Sequence, residues 1–547
     1  MSWAVTSEHN KCKPVLSGLY KCSPERGRNN MNNTNLNAYQ NNNISQKTNK
    51  DVLEKFLADL AESLQVPDSA YEAAEQRYKS VGTWLSREES KIKLANPIYV
   101  QGSFRLGTAI KPVSDEEDYD VDLVCEVDAD KNKITQQELK RLVGYEMKAY
   151  ADKHGMSSPR ESKRCWVLDY SEKSQFHLDA LPSIPDAIGY NSYLQGKGIA
   201  GIKYTDRALA ITDNTEPEYK NISPKWPHSN PKGYADWFYD LMGEIYFLYK
   251  KKYQIENRLS SVEEVPYYKA KTPLQYAIQI LKRHRDITCD VSDTKPISII
   301  ITTLAARVYQ RENSIYETLN NILTNMEEYI EIRNGVKWVQ NPTDPTENFA
   351  DKWGKYPERE QAFYDWLDKA REDFSMLSQM SDKKDIYEYA SPVLGHRLIE
   401  KIIRKNDTTI KGASSLLNIF SNPSHKKSLP WTYVETGKVT IVKAQYTRRN
   451  NRFISKEFVS EDVIPSGCDL EFSATTDIRG PYQVYWQIVN NGLYARKANQ
   501  LRGGFEEVNN LYKKENSMYK GTHTIECFIV KGSICVARSS LFFVNIR

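Results

Sequence analysis

The chain has 547 residues, 40% of them hydrophobic and 27% charged, which suits a globular protein of two to four domains rather than a fibrous or disordered one. Its net charge is only +4, and the first fifty residues hold seven Lys/Arg against two Glu, so the remainder is near neutral and a duplex-binding basic footprint is excluded. The longest apolar run, ISIIITTLAARVY, is too short for a bilayer span and carries an arginine; with no secretory signal at the N-terminus, the expectation is a cytoplasmic protein without membrane contact.

Residues 1–45 are polar and Asn-rich with no apolar periodicity, which predicts a disordered tail. Two helical patterns follow, DVLEKFLADLAESL from Asp51 and a second from Pro67 through YEAAEQRYKSVGTWL. The period then changes. PIYVQGSF (97–104) and YDVDLVCEV (119–127) alternate like strands, with a Gly-containing turn between them. TQQELKRLVGYEMKAYADKHG reads as a helix, and RCWVLDY (164–170) with SQFHLDALP (174–182) as a hairpin. The stretch 230–425 is mostly helical in pattern, including PLQYAIQILKRHRD and PISIIITTLAARVYQ. After LPWTY (429–433), short alternating runs separated by turn residues predict an antiparallel β-sandwich. The expected organisation is a tail at 1–45, an α/β core with a mixed sheet at 46–225, a helical lobe at 226–428 and a β-domain at 429–547. The eight cysteines show no CxxC pair and no zinc spacing. His523, Cys527 and Cys535 lie near one another in sequence, and strand parity with buried reduced thiols accounts for them.

Chemistry concentrates in QGSFRLGTAIKPVSDEEDYDVDLVCEV, residues 101–127. On a strand, Asp120 and Asp122 point to one face while Tyr119, Val121 and Leu123 point to the other. Two carboxylates about 7 Å apart along the strand can clamp two cations roughly 3.5–4 Å apart. Magnesium, with manganese as its substitute, favours such oxygen ligands and accepts phosphate oxygens beside them. HLDALP supplies the third carboxylate, because an unpaired Asp179 in an apolar strand would be costly. In such an arrangement one metal activates an attacking hydroxyl, the other neutralises a triphosphate and its leaving pyrophosphate, and Asp179 can accept the hydroxyl proton. The turn GSFRLGT offers backbone N–H groups at Gly102 and Ser103, with the Ser103 and Thr108 hydroxyls, to phosphates. The competing reading of DYDVD is a solvated edge strand with gatekeeper charges, and Asp115, Glu116, Glu117 and Asp118 read as a solvated loop. Lys282, Arg283 and Arg285, at the end of PLQYAIQILKRHRD, either complement the helix C-terminus or put Lys282 on a triphosphate.

GSFRLGT, DYDVDLV, HLDALP, the LKRHRD helix and PISIIITTLA together resemble the bacterial cGAS/DncV-like nucleotidyltransferases (CD-NTases) of anti-phage CBASS operons, members of the polymerase-β-like superfamily. WPHSNPKGYADWF (226–238) and NPTDPTENFADKW (341–353) resemble the same group. PYQVYWQIVNNG, NQLRGGF and YKGTHTIECFIV resemble the C-terminal domain found with adenylyl/guanylyl cyclase and SMODS proteins. The resemblance implies a polymerase-β-like nucleotidyltransferase sheet packed on a helical lobe, with the two nucleotides in the cleft between. It implies synthesis of a cyclic oligonucleotide from NTPs, and an effector protein activated by the product. It assigns Gly102 and Ser103 to phosphates, Asp120, Asp122 and Asp179 to two metal ions, and Lys282 and Ser298 to the triphosphate. In the last domain Trp486, Asn490, Arg502 and His523 are candidate contacts for a sensed ligand, against the plainer reading of sandwich core and turn residues. Some relatives are conjugated through a flexible C-terminal tail; SLFFVNIR reads as a strand instead, so no conjugation is expected. The alternatives are a linear oligonucleotide synthase or RNA-tailing enzyme, and an inactive nucleotide-binding sensor module.

Overall fold

The computed structural model describes residues 49–113, 119–170, 176–256, 270–289, 293–407, 419–449 and 455–547. The tail at 1–45 and the acidic loop at 115–118 lie outside the described residues. Residues 49–547 form one compact unit, built around three main hydrophobic cores.

The first helix, α1, covers 49–63 among the described residues. Its Leu53, Phe56, Leu57, Leu60 and Leu64 follow helical spacing and are buried in the core of the helical lobe, not against the sheet. Helix α2 (Asp68–Leu85) starts at Pro67, which serves as its N-cap. The strand expected over 97–104 is reduced to β1 (Tyr99–Val100), because Gly102 adopts φ +63° and the chain turns there into a short helix, α3 (Gly102–Leu106). β2 (Tyr119–Glu126) and α4 (Gln136–Lys153) form as their patterns predict. Thr135 and Glu138 close a reciprocal capping box that starts α4. β3 (Arg160–Glu161), β4 (Trp166–Asp169) and β5 (Phe176–Pro185) follow, with β4 and β5 antiparallel as the hairpin reading requires. Helix α5 (Ala187–Gly196) leads to β6 (Leu209–Ile211) and β7 (His228–Ser229). The sheet order is β1-β2-β5-β4-β3, with β6 and β7 added beyond β5. Only the central β2–β5 pair is parallel. Val121, Leu123, Leu178 and Ala180 pack on one face with residues of α2 and α4, which leaves the opposite parity of β2 and β5 for chemistry.

The helical lobe comprises α6 (Pro231–Glu256), α7 (Pro273–Thr288), α8 (Ser298–Val308), α9 (Ile315–Asn325), α10 (Pro357–Ser378), α11 (Lys383–Leu394) and α12 (His396–Asp407). Two small hairpins that periodicity does not reveal interrupt it: β8 (Glu331–Arg333) with β9 (Val336–Trp338), and β10 (Gln340–Asn341) with β11 (Asp344–Asn348). Among the described residues no helix is long and apolar enough to cross a membrane.

The last domain is a two-sheet sandwich. β14 (Ser455–Glu457), β13 (Val439–Arg448), β16 (Cys468–Thr476) and β19 (Tyr512–Asn516) make an antiparallel four-stranded sheet. The second sheet contains β12 (Thr432–Tyr433), β15 (Val463–Ile464), β17 (Gln483–Val489), β18 (Phe505–Glu507), β20 (Gly521–Lys531), β21 (Ile534–Arg538) and β22 (Phe542–Ile546). It is not wholly antiparallel, since the short β12 and β15 run parallel to β21 and β22. A short helix, α13 (Leu493–Lys497), joins β17 to β18. The sandwich packs on α11: the Ser391 and Thr522 hydroxyls are 2.7 Å apart, and Arg496 pairs with Glu388 at 2.6 Å.

Candidate active site

Strand parity and sheet order together build the site. Asp122 and Asp179 are direct register partners in the parallel β2–β5 ladder, and Asp120 is the partner of His177. All four side chains share the face opposite the α2–α4 core. Asp120 is exposed, whereas Asp122 and Asp179 are half-buried. Neither the Asp122 nor the Asp179 carboxylate has a hydrogen bond or ion pair among the described residues. Burial, then the charges of Asp179 and Asp120, push the Asp122 carboxyl up to about 7. Burial and Asp120 also raise Asp179, against the opposing pull of His177 and Arg160.

This crowding of like charges with no protein cation on Asp122 tests the fit to a metal, and the donor set suits a hard divalent ion. The three carboxylates are electrostatically coupled but not gathered into a closed cage; among the described residues no three Asp, Glu, His or Cys side chains converge to that extent. A cation would offset their mutual repulsion.

The Gly102–Ser103 turn lies directly over Asp122. Gln101 N–H donates to the Asp122 carbonyl at 2.9 Å, and a Cβ on Gly102 would fall 2.7 Å from Asp122 Oδ2. Gly102 is therefore required twice, for its φ and for this close approach. Ser103 is half-buried, and its carbonyl accepts from the N–H groups of Thr108 and Ala109.

Thr108 has another place than the phosphate-facing one expected. It is fully buried, and its carbonyl and hydroxyl accept from Lys282 Nζ at 3.0 and 3.2 Å. Lys282 is 4% exposed, and burial pushes its ammonium down to about 7. Arg283 donates to the carbonyls of Lys111 and Pro112, and Arg285 to the Pro296 carbonyl and the Ser298 hydroxyl. The basic cluster thus fastens segments 108–112 and 296–298 to α7. Arg285 also stands in the last turn of α7, and the Ser298 hydroxyl already accepts from it.

Sequence reasoning passes over a polar chain beside Asp179. His177 Nδ1 lies 2.7 Å from Asp169 Oδ1, and Arg160 bonds to both oxygens of Asp169, holding that carboxyl below its usual range. Parity could have found His177, which lies two residues before Asp179. A cavity of about 540 Å³ opens between the core and the lobe. Its cations Lys163, Arg164, Lys295, Lys352 and Arg359 outnumber its acids Glu347 and Asp351. Arg164 precedes Cys165, whose thiol is pushed up to about 12 by burial and by Asp179 and Asp122; none of the three aspartates lines the cavity itself.

The four candidate ligand contacts of the β-domain are all engaged within the domain, and the Asn490 N–H donates to the Arg502 carbonyl at 3.1 Å. Trp486 is fully buried in the sandwich core and donates from Nε1 to the Asn510 carbonyl. Asn490 bonds to the Gln500 carbonyl, and Arg502 is held by Glu506 and Glu515. His523 is buried, accepting at Nδ1 from Asn491 N–H and donating from Nε2 to the Tyr519 carbonyl. Each therefore has a partner within the β-domain. Cys527 and Cys535 are buried free thiols.

Residues 97–182 match the family described as cyclic GMP-AMP synthase DncV-like, nucleotidyltransferase domain. Residues 421–547 match the adenylyl/guanylyl and SMODS C-terminal sensor domain. Among curated proteins, the chain is 30% identical over 340 residues to a c-di-GMP synthase of Roseivirga ehrenbergii, covering 60% of this chain and 81% of that one. It is 23% identical over 336 residues to the cyclic dinucleotide synthase CdnG of Bradyrhizobium diazoefficiens, covering 55% and 70%. The solved structure of that CdnG in complex with GTP superposes with a TM-score of 0.48 at 19% identity, covering 65% of this chain and 99% of that one. The GTP-bound form of Vibrio cholerae DncV gives a TM-score of 0.39 at 17% identity, covering 67% and 89%.

Proposed function

This chain belongs to the cGAS/DncV-like nucleotidyltransferases that carry an adenylyl/guanylyl and SMODS C-terminal sensor domain, and we propose that it joins NTPs into a cyclic oligonucleotide second messenger, releasing pyrophosphate at each bond. The observation that carries the reading is the register pairing of Asp122 with Asp179, with Asp120 on the same face. That arrangement supports the reading of a metal platform, and the likeness to a c-di-GMP synthase supports a cyclic product.

Asp120, Asp122 and Asp179 would hold two Mg²⁺ or Mn²⁺ ions, which when bound supply charge neutralisation for the triphosphate and acidify the attacking hydroxyl. The chain's own residues do the rest. Gly102 keeps the space above the Asp122 carboxylate free of side chain, so a triphosphate can approach both the turn and the aspartate. Lys282, through Thr108, holds the far end of that turn. The cationic cavity between core and lobe receives the anionic nucleotides. Asp179, raised above the usual carboxylate range and free of hydrogen bonds among the described residues, takes the proton from the attacking ribose hydroxyl. The new P–O bond forms at the α-phosphorus as the bond to pyrophosphate breaks. A second round within the linear product closes the ring. The biological role proposed is anti-phage signalling, in which an effector protein binds the product.

The test is incubation with the four NTPs and Mg²⁺, followed by phosphatase and nuclease. A cyclic product resists phosphatase. A phosphatase-sensitive product has free ends and would replace this reading with linear synthesis or tailing.

A further inference from the structure

The β-domain contains a cavity that none of the four expected ligand residues lines. It measures about 490 Å³, within the range of small-molecule sites. It lies on the outer face of the second sandwich sheet, beneath the segment 421–429 that leads into the β-domain. β20 and β17 dictate which residues face it. On β20 the odd positions Ile525, Cys527 and Ile529 fill the sandwich core, so Glu526 and Phe528 face outward. On β17 Trp486 fills the core, so Gln487 faces outward.

The polar groups of this cavity are built, not incidental. Glu526 is 1% exposed and fixes two cations at the wall: Lys426 Nζ at 3.2 Å from Oε2, and Arg538 Nη2 at 2.5 Å from Oε1. Lys427 also lines the cavity and has no side-chain partner among the described residues. Three cations against one carboxylate leave an excess positive charge over a partly enclosed space. Gln487 is 2% exposed; its amide nitrogen donates to the Lys427 and Gly503 carbonyls, and its side-chain oxygen has no donor among the described residues. Phe505 and Phe528 form an apolar wall, their rings 5.2 Å apart.

We propose that this cavity is the ligand site of the β-domain and takes a nucleotide. Its cationic wall, Lys426, Lys427 and Arg538, receives the phosphate; the phenylalanine wall receives the base; and the Gln487 oxygen accepts an N–H from the base edge. The proposal is independent of the activity assigned to the core, because no residue is shared.

The experiment uses the full chain carrying Asp120→Asn and Asp122→Asn, in EDTA, so that turnover and metal-dependent triphosphate binding are silent. AMP, GMP, CMP, UMP, cyclic di-GMP and inorganic phosphate are titrated by calorimetry. At least one nucleotide is expected to bind with unit stoichiometry and more tightly than phosphate. Lys427→Glu, at an exposed and unpartnered position, should weaken it at least tenfold. Ser540→Trp, at an exposed cavity position, should abolish it while leaving the melting temperature near that of the parent. Arg164→Glu, in the core cavity, should leave it unchanged. Absence of binding across the panel, binding indifferent to Lys427→Glu and Ser540→Trp, binding lost with Arg164→Glu, or phosphate binding as tightly as any nucleotide would each overturn the proposal.

Discussion

Asp122 on β2 and Asp179 on β5 stand opposite one another as register partners in the one parallel pair of the core sheet, and Asp122 is pushed up to about 7 by burial and by its two acidic neighbours. The platform is therefore held at a cost to the metal-free protein, which gives the first expectation. Asp122→Asn should raise the melting temperature of the protein in EDTA, because it removes a half-buried charge that no protein cation offsets. Asp120→Ala with Asp122→Ala should lower product formation on the order of a thousandfold or more while the circular dichroism spectrum stays unchanged. EDTA should silence the parent, and Mg²⁺ should restore it. Undiminished product from the double variant would refute the metal assignment.

Gly102→Ala tests the close approach of the turn. An added Cβ would lie 2.7 Å from Asp122 Oδ2, at a φ of +63°. The left-handed backbone alone costs about 1–2 kcal/mol for a residue with a Cβ, and the carboxylate must shift as well. Turnover should fall by roughly tenfold to a hundredfold, more than the small loss of melting temperature explains. Wild-type kinetics in this variant would dismiss the turn as part of the site.

The Lys282–Thr108 bonds call for a double-mutant cycle. If Lys282 acts by holding the turn, Lys282→Met and Thr108→Val remove the same interaction. Each should reduce kcat/KM, and the double variant should be little worse than the worse single one. Additive losses, with the Lys282→Met effect confined to the KM for NTP, would place the ammonium on the triphosphate instead.

His523 makes the β-domain sensitive to acid. Its pKa is pushed down to about 4 by burial, opposed by the bond to the Tyr519 carbonyl. An unfolded histidine titrates at about 6.5, so between these values the unfolded chain binds a proton that the folded chain refuses. Stability is then full above the unfolded pKa and falls with decreasing pH by about 1.4 kcal/mol per unit from this group. Chemical denaturation from pH 7 to pH 4.5 should show His523→Gln with a pH dependence of stability shallower than the parent's by up to one proton. An unchanged slope would mean that the buried ring does not titrate as assigned.

The divide between sequence and structure follows strand parity and range. Parity in YDVDLVCEV is a local property, so Asp120 and Asp122 on one face could be read directly, and the apolar context of Asp179 made it conspicuous. Parity does not extend through PIYVQGSF, because the positive φ of Gly102 ends the strand after Val100. The hairpins at 331–348 were not legible because two- to five-residue strands carry too few alternations to stand out. Lys282 and Thr108 lie 174 residues apart, and no local pattern encodes such a meeting. Trp486 and His523 looked like ligand contacts because polar or aromatic residues in a strand advertise nothing about which face is covered.

By itself, then, the sequence determined the platform: residue type and alternation place two carboxylates on one face of one strand, since backbone pleating allows no other outcome. Only the tertiary structure decided what meets it. Sheet order put Asp179 in register with Asp122, packing turned the basic end of α7 into a clamp on the turn, and the path of segment 421–429 roofed the outer sheet into a cavity. Each depends on contacts between elements far apart in sequence, whose free energy comes from burial in three dimensions and leaves no periodic trace along the chain.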